Sequence, residues 1–438
     1  MGLTSRNIAA DASARVGGGT LAVMGGCYAM GTFTDNFYKQ AAILIAASSQ
    51  MTDMQSIATV LFSMPFILFS AWGGAVSDRI SKKSVIIIVK VLEFLTLLIG
   101  GYMLITENWF GMLAVMFSMG MQSTFFSPAI VGSIPENFPP HLVPRANALI
   151  RLASTSAILA GMAAAGFALD LLDPGDILSR LGLEGREFGR VAAAVIVALI
   201  AFIGLFLALI MRRRPVSVSP EGKGAFPWFG PAASLKLLWK LRSDKPLMFV
   251  LLAEAWFYGI ATIAVISIAN LALQLGYSKS LAGIMTALLM SGVAVGSLAA
   301  GRFSASSWRF LFMPATCGMA AMMCLVGLTP LLPGGDGGVS PQLLWFGATL
   351  FFSGICGGIY LIPLASFIQV RPAPDKKGRV IGLSNFLSFV AMAAFGLAFS
   401  VISLLPPALT FVFYGAISFV FVFLFAWRKL CGLKTEDF

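Results

Sequence analysis

An acid, an amide and a base stand together in an apolar stretch near the N-terminus: Asp35, Asn36 and Lys39 within GTFTDNFYKQ, Gly31 to Gln40. Gly17 to Ala47 reads as a membrane-crossing helix, longer than the roughly 20 residues a bilayer core needs, so these groups fall near mid-membrane. A charge there costs ~2.5 to 3.5 kcal/mol even on the lenient insertion scale. Two readings of that cost stand side by side. Asp35 and Lys39, four apart with the acid first, suit an internal ion pair; equally, they suit a polar wall of a substrate pathway. Further polar candidates lie at similar depth: Gln122, Tyr258 and, nearer one face, Glu254, Arg151 and Asn385. Lys90 and Glu93, three apart, read as a packing pair.

Enzymatic chemistry lacks its parts. The single histidine, His141, sits in the polar loop FPPHLVPR, and no nucleophile, base and oxyanion-donor set can be assembled around it. Cys27, Cys317, Cys324, Cys356 and Cys431 lie mostly in apolar segments without a C-x-x-C pair, which reads as packing rather than as disulfides or metal ligands. No cofactor and no metal site are expected.

The elements that must position these residues follow from composition. Of 438 residues, 58% are hydrophobic and 11% charged, with a mean hydropathy of +0.88. That composition excludes a soluble domain and predicts an all-α polytopic membrane protein. Twelve spans are expected, at about 18–47, 55–77, 84–105, 108–133, 144–170, 190–211, 246–275, 279–301, 309–330, 341–370, 377–403 and 407–430. They form two six-helix bundles, 1–211 and 246–438, joined by a basic linker, 212–245. Residues 1–18 hold Arg6, Asp11 and Arg15 without a continuous apolar core, so no cleavable signal is expected.

The charge of +11 is spread over short loops rather than gathered on a domain, which argues against nucleic acid. Placing both termini in the cytoplasm leaves only Arg180, Arg186, Arg190 and Lys279 outside and Lys39, Lys90 and Arg151 within spans. In the linker, Leu235, Leu238 and Trp239 run beside Lys236, Lys240 and Arg242, a pattern open to two readings: a helix lying on an anionic leaflet, or a solvated linker. The outer segment 170–190 carries Asp173, Asp176, Glu184 and Glu187 and suggests no role.

The halves echo each other. GGAVSDRISKK (Gly73 to Lys83) faces GSLAAGR (Gly296 to Arg302), with Gly301 where the first copy has Asp78, and RANALIR (Arg145 to Arg151) faces RVIGLSN (Arg379 to Asn385). The first loop resembles the signature of the major facilitator superfamily, G-x-x-x-D-R-x-x-[KR]-[KR], through Gly74, Asp78, Arg79, Lys82 and Lys83. The resemblance implies the major facilitator fold and a cytoplasmic latch formed by that loop, with Arg145 beside it.

GTFTDNFYKQAAILI, MPFILFSAWGGAVSDRISKK, KVLEF, FFSPAIVGSIPE, RANALIRLASTSAILAG, AVGSLAAGRFS, IPLASFIQVRP and GRVIGLSNFLS are together similar to the bacterial lysophospholipid transporter family. That resemblance implies inward movement of lysophospholipids, chiefly lysophosphatidylethanolamine, across the bacterial inner membrane by alternating access for reacylation. It implies a headgroup role for Asp35 and Asn36, and a proline-centred turn after the fourth span formed by Pro128, Ala129, Gly132 and Glu136. Two positions depart: Ile130 stands where many members have lysine, and the region of Ala264 is apolar where some have arginine. Lys39 or Arg151 is then expected to supply the cation for the phosphate. Membrane lipids and a separate acyltransferase or acyl-carrier synthetase are the partners implied, and a monomer is expected. A proton-coupled exporter of amphipathic drugs, with Asp35 or Glu254 as the protonation site, is the alternative function. A scaffold recruiting an acyltransferase through the linker is the third.

Overall fold

The computed structural model describes residues 2–48, 52–169, 171, 188–211, 226–277, 279–334, 340–402 and 405–430. The outer-segment charges Asp173, Asp176, Arg180, Glu184, Arg186 and Glu187, the linker residues 212–225 and Cys431 lie outside them. Among the described residues there are twelve long helices: α1 (Gly2–Ser48), α2 (Thr52–Arg79), α3 (Lys82–Thr106), α4 (Trp109–Gly132), α6 (Val143–Leu169), α7 (Phe188–Ile210), α9 (Lys245–Gln274), α10 (Lys279–Ala300), α11 (Trp308–Gly327), α12 (Pro341–Val370), α13 (Lys377–Ile402) and α14 (Pro407–Leu430). Short α-helices also occur among the described residues, α5 (Ile134–Asn137) and α8 (Gly230–Lys240). Among the described residues nine helices are long and apolar enough to cross a membrane, and no strand is present. This is an all-α membrane fold.

Helix α1 starts well before the expected first span. The run Ile8 to Ala14 is rich in alanine, the best helix former, so the helix continues through the polar N-terminal residues. Pro128 also departs from expectation, because it lies inside α4 rather than in a turn after it. Its missing N–H leaves the Thr124 carbonyl without the usual intrahelical donor. Gly73 of α2 lies against that carbonyl so closely that a Cβ there would stand 2.4 Å from the oxygen. Ser77 of α2 donates to the carbonyl of Pro128 itself at 3.1 Å, a second contact of α2 with this part of α4.

The contacts divide into two units. Unit 1 comprises Met1–Phe138, Ala153–Ser234 and Ala373–Leu383; unit 2 comprises Pro139–Leu152, Leu235–Pro372 and Ser384–Phe438. In unit 1, α2 packs on α4 and α3 on α7; in unit 2, α10 packs on α12 and α11 on α14. These are the same positions in each half, so the weak sequence echo is a repeat of packing. Small residues make it work in both. Gly292 and Gly296 of α10 lie against carbonyls of α12, and Gly354 and Gly358 of α12 against α10, leaving no room for a Cβ.

Unit 1 is centred on Phe37, Tyr38, Leu97, Met116 and Val197, with the Tyr38 hydroxyl donating to the Gly100 carbonyl. Unit 2 is centred on Leu271, Met285, Phe346, Leu350 and Phe411. Ile88, Leu92, Leu95 and Ile99 of α3 and Leu199, Phe202 and Phe206 of α7 are exposed, an apolar exterior that suits lipid.

Candidate functional site

Helix α1 has two faces around its polar stretch. Thr34, Phe37, Tyr38 and Ala41 are buried, whereas Thr32, Asp35, Asn36 and Lys39 are half-buried along one side. The Asp35 carboxylate accepts from Ser123 of α4 at 2.7 Å. Lys39 makes no hydrogen bond or ion pair among the described residues, and its Nζ lies 5.5 Å from the centre of the Phe62 ring. The two are therefore not locked as an i,i+4 pair. Asn36 turns its amide back to the Thr32 carbonyl, 2.8 Å away, which leaves its side-chain oxygen uncommitted to that bond. Gln122 is buried next to Ser123 and donates to Thr96 of α3 at 2.7 Å and to Ser118 at 3.3 Å. The first bond ties α4 to α3.

A buried ion pair of unit 1 lies beside this stretch, on α3. Lys90 and Glu93 of α3 meet at 2.6 Å, with Lys90 fully enclosed, and Thr34 of α1 donates to the other Glu93 oxygen at 2.8 Å. The ammonium also lies 4.6 Å from the centre of the Phe126 ring. Gly31 opens the slot it occupies, since a Cβ there would stand 2.5 Å from Nζ. The two positions that depart from the resemblance are closed: Ile130 is 1% exposed and Ala264 2%.

Unit 2 gathers the other candidates. Arg151 of α6 donates to the Tyr258 hydroxyl of α9 at 3.1 Å. Glu254, one turn before Tyr258, is buried and accepts from Ser384 of α13, next to half-buried Asn385. Nearby, Tyr360 of α12 donates to the Ala253 carbonyl at 2.8 Å. Asn147 and Gln369, which sequence reasoning did not single out, form a reciprocal buried amide pair. Asn147 donates to the Gln369 oxygen at 3.2 Å and receives at 3.0 Å, with a further bond to Ser366. Two amides at the ends of apolar helices give no pattern in sequence that would mark them as partners.

The signature loop is held within unit 1. Asp78 accepts the backbone N–H groups of Gly378 at 2.7 Å and Arg379 at 3.0 Å, and the Arg379 guanidinium at 3.2 Å. A carboxylate thus caps the first turn of α13 from 300 residues away, where unsatisfied amides and the helix dipole favour negative charge. Gly74 admits this approach: a Cβ there would stand 2.6 Å from the Gly378 carbonyl oxygen. Lys82 pairs with Glu136 at 2.5 Å, Lys83 donates to the Leu209 carbonyl at 2.8 Å, and Arg79 lies over the Phe226 ring at 5.3 Å. In unit 2, exposed Arg145 adjoins Gly301, the glycine that stands as the counterpart of Asp78. His141 is an exposed loop residue. No group of three or more potential metal ligands occurs among the described residues.

The sequence profile of the Major Facilitator Superfamily matches residues 21–397. The chain belongs to that superfamily. It is 23% identical over 366 residues to the lysophospholipid transporter LplT of Yersinia pestis (strain Pestoides F), covering 82% of this chain and 81% of the relative. The same identity and coverage hold for LplT of Yersinia pseudotuberculosis serotype I (strain IP32953). Among solved structures, the fucose:proton symporter FucP of E. coli superposes with a TM-score of 0.68 at 14% identity, covering 92% of this chain and 98% of that one. The human organic anion transporter MFSD10 superposes with a TM-score of 0.69 at 15% identity, covering 92% and 99%. The chain is thus a multi-pass transporter of the superfamily, with its major facilitator fold.

Proposed function

We propose that the chain moves lysophospholipids, chiefly lysophosphatidylethanolamine, inward across the bacterial inner membrane by alternating access, with both termini cytoplasmic. The observation that carries this reading is that Asp35 and Lys39 form no direct ion pair. With Asp35 engaged by Ser123 and Lys39 beside an aromatic ring, a half-buried ammonium at mid-membrane is open to a phosphate. The headgroup site takes Asp35, Asn36 and Lys39 of unit 1. Likeness to the Yersinia transporters supports the cargo class. A separate acyltransferase then consumes the lipid delivered.

The test is flux of labelled lysophosphatidylethanolamine into vesicles holding the purified chain. Asp35→Ala and Lys39→Ala are each expected to lower flux at least about tenfold, the loss of one charged contact, with expression intact. Absence of movement for every lysolipid tried would refute the reading. Buried Glu254, bonded to a hydroxyl, favours a second one: a proton-coupled exporter of amphipathic drugs, with Glu254 carrying the proton. Dye efflux that collapses with the proton gradient, without lipid movement, would select it.

A further inference from the structure

Helix α8 has three stripes, each made of residues four apart and each set one residue on from the last. Successive residues step about 100° around a helix, so the stripes are neighbouring faces. Gly230 and Ser234 form the first, which is turned toward protein: both are buried, and a Cβ at Gly230 would strike the Leu68 carbonyl oxygen. Leu235 and Trp239 form the second, exposed by 56% and 67%. Lys236 and Lys240 form the third, also exposed. Arg242 follows, its guanidinium 4.1 Å from the centre of the Trp239 ring.

A helix in water has no use for an exposed leucine and tryptophan in line; a helix inside a bilayer could not carry two lysines on the adjoining face. A helix at the boundary needs all three faces: one for the protein, one for the acyl region and one for the phosphates. Tryptophan is the side chain that suits that depth, with an apolar body and one N–H donor. The charge is complementary to an anionic surface. Phe226 to Ser243 contains three cations and no acid, and the next acid, Asp244, is engaged by Arg371 at 3.3 Å. We infer that α8 is a docking surface for anionic phospholipid, with Leu235 and Trp239 set into the leaflet and Lys236, Lys240 and Arg242 at its phosphates. Each such charge is worth roughly fivefold in partitioning to an anionic surface. The inference holds whatever the cargo is.

The full chain is reconstituted into phosphatidylcholine vesicles containing either brominated phosphatidylglycerol or brominated phosphatidylcholine, and tryptophan quenching is measured. The part due to Trp239 is the difference from a Trp239→Phe chain. Expected is Trp239 quenching at least about twofold stronger by the anionic bromolipid, reduced to parity in a Lys236→Gln, Lys240→Gln, Arg242→Gln chain. Equal quenching by the two lipids in the parent chain would overturn the preference for anionic lipid. No quenching of Trp239 by either would overturn the docking itself, and would mean that the face meets solvent or another protein.

Discussion

Lys39 and Lys90 are both lysines inside apolar helices, yet only one has a carboxylate against it. Lys90 has Glu93 at 2.6 Å, a slot opened by Gly31 and an aromatic face, so it is fully occupied by structure. Lys90→Met is expected to lower stability by ~3–5 kcal/mol, the cost of a buried charge left alone. Thermal unfolding in detergent would read it, and adding Glu93→Leu should restore much of the loss. Lys39→Met breaks no direct ion pair; it is expected to change the unfolding midpoint less than Lys90→Met does, while flux falls at least about tenfold. Lys39→Arg should retain part of the flux, because the phosphate still meets a cation. If Lys39→Met unfolded the protein as Lys90→Met does, the two lysines would share one structural role. From sequence the two were hard to tell apart: the i,i+4 spacing of Asp35 and Lys39 pointed to a pair, and Ser123, the actual partner of Asp35, lies 88 residues away.

At the level of elements, Asp78 and the amide pair Asn147–Gln369 each tie helix ends together by different chemistry. Asp78→Ala leaves the Gly378 and Arg379 amides uncapped, a cost of ~1 kcal/mol, and Asp78→Asn keeps an acceptor oxygen for one of them. Flux is expected to fall in the order parent, Asn, Ala. Equal flux in all three would deny the cap a part in transport. Asn147→Leu leaves Gln369 without its partner amide and is expected to cost ~1–3 kcal/mol in unfolding, measured as a lowered midpoint. The long helices were legible because each needs about 20 apolar residues and breakers between them. The stripe on α8 was visible as a pattern, but which side faced protein rested on Gly230 and Ser234, small residues that say nothing alone. Pro128 lies inside α4, as the expected span 108–133 has it and not in the turn that the resemblance implied, with Gly73 of α2 close against the freed Thr124 carbonyl.

For the whole molecule, the repeat is clearer in packing than in sequence. The second and fourth long helices of each half meet, as do the third and sixth. The signature loop does not follow that symmetry: Asp78 caps α13 in unit 1, while its counterpart Gly301 packs on α6 near Arg145 in unit 2. The sequence shows the difference between aspartate and glycine; only the fold shows that one is a cap and the other a close contact. A reporter fused after Phe438 is expected on the cytoplasmic side, and its appearance outside would reverse the proposed topology.

The sealed Lys90–Glu93 pair has an electrical consequence. Two opposite charges 2.6 Å apart present almost no net charge to the voltage across a bilayer, so the field does no work on them when unit 1 moves. Asp35 and Lys39, when both ionised, likewise sum to zero. A zwitterionic cargo then crosses with little sensitivity to membrane potential, whereas each net negative charge on a lysolipid would couple its movement to about 2.3 kcal/mol per 100 mV. Voltage would thus act on the choice of headgroup rather than on the carrier.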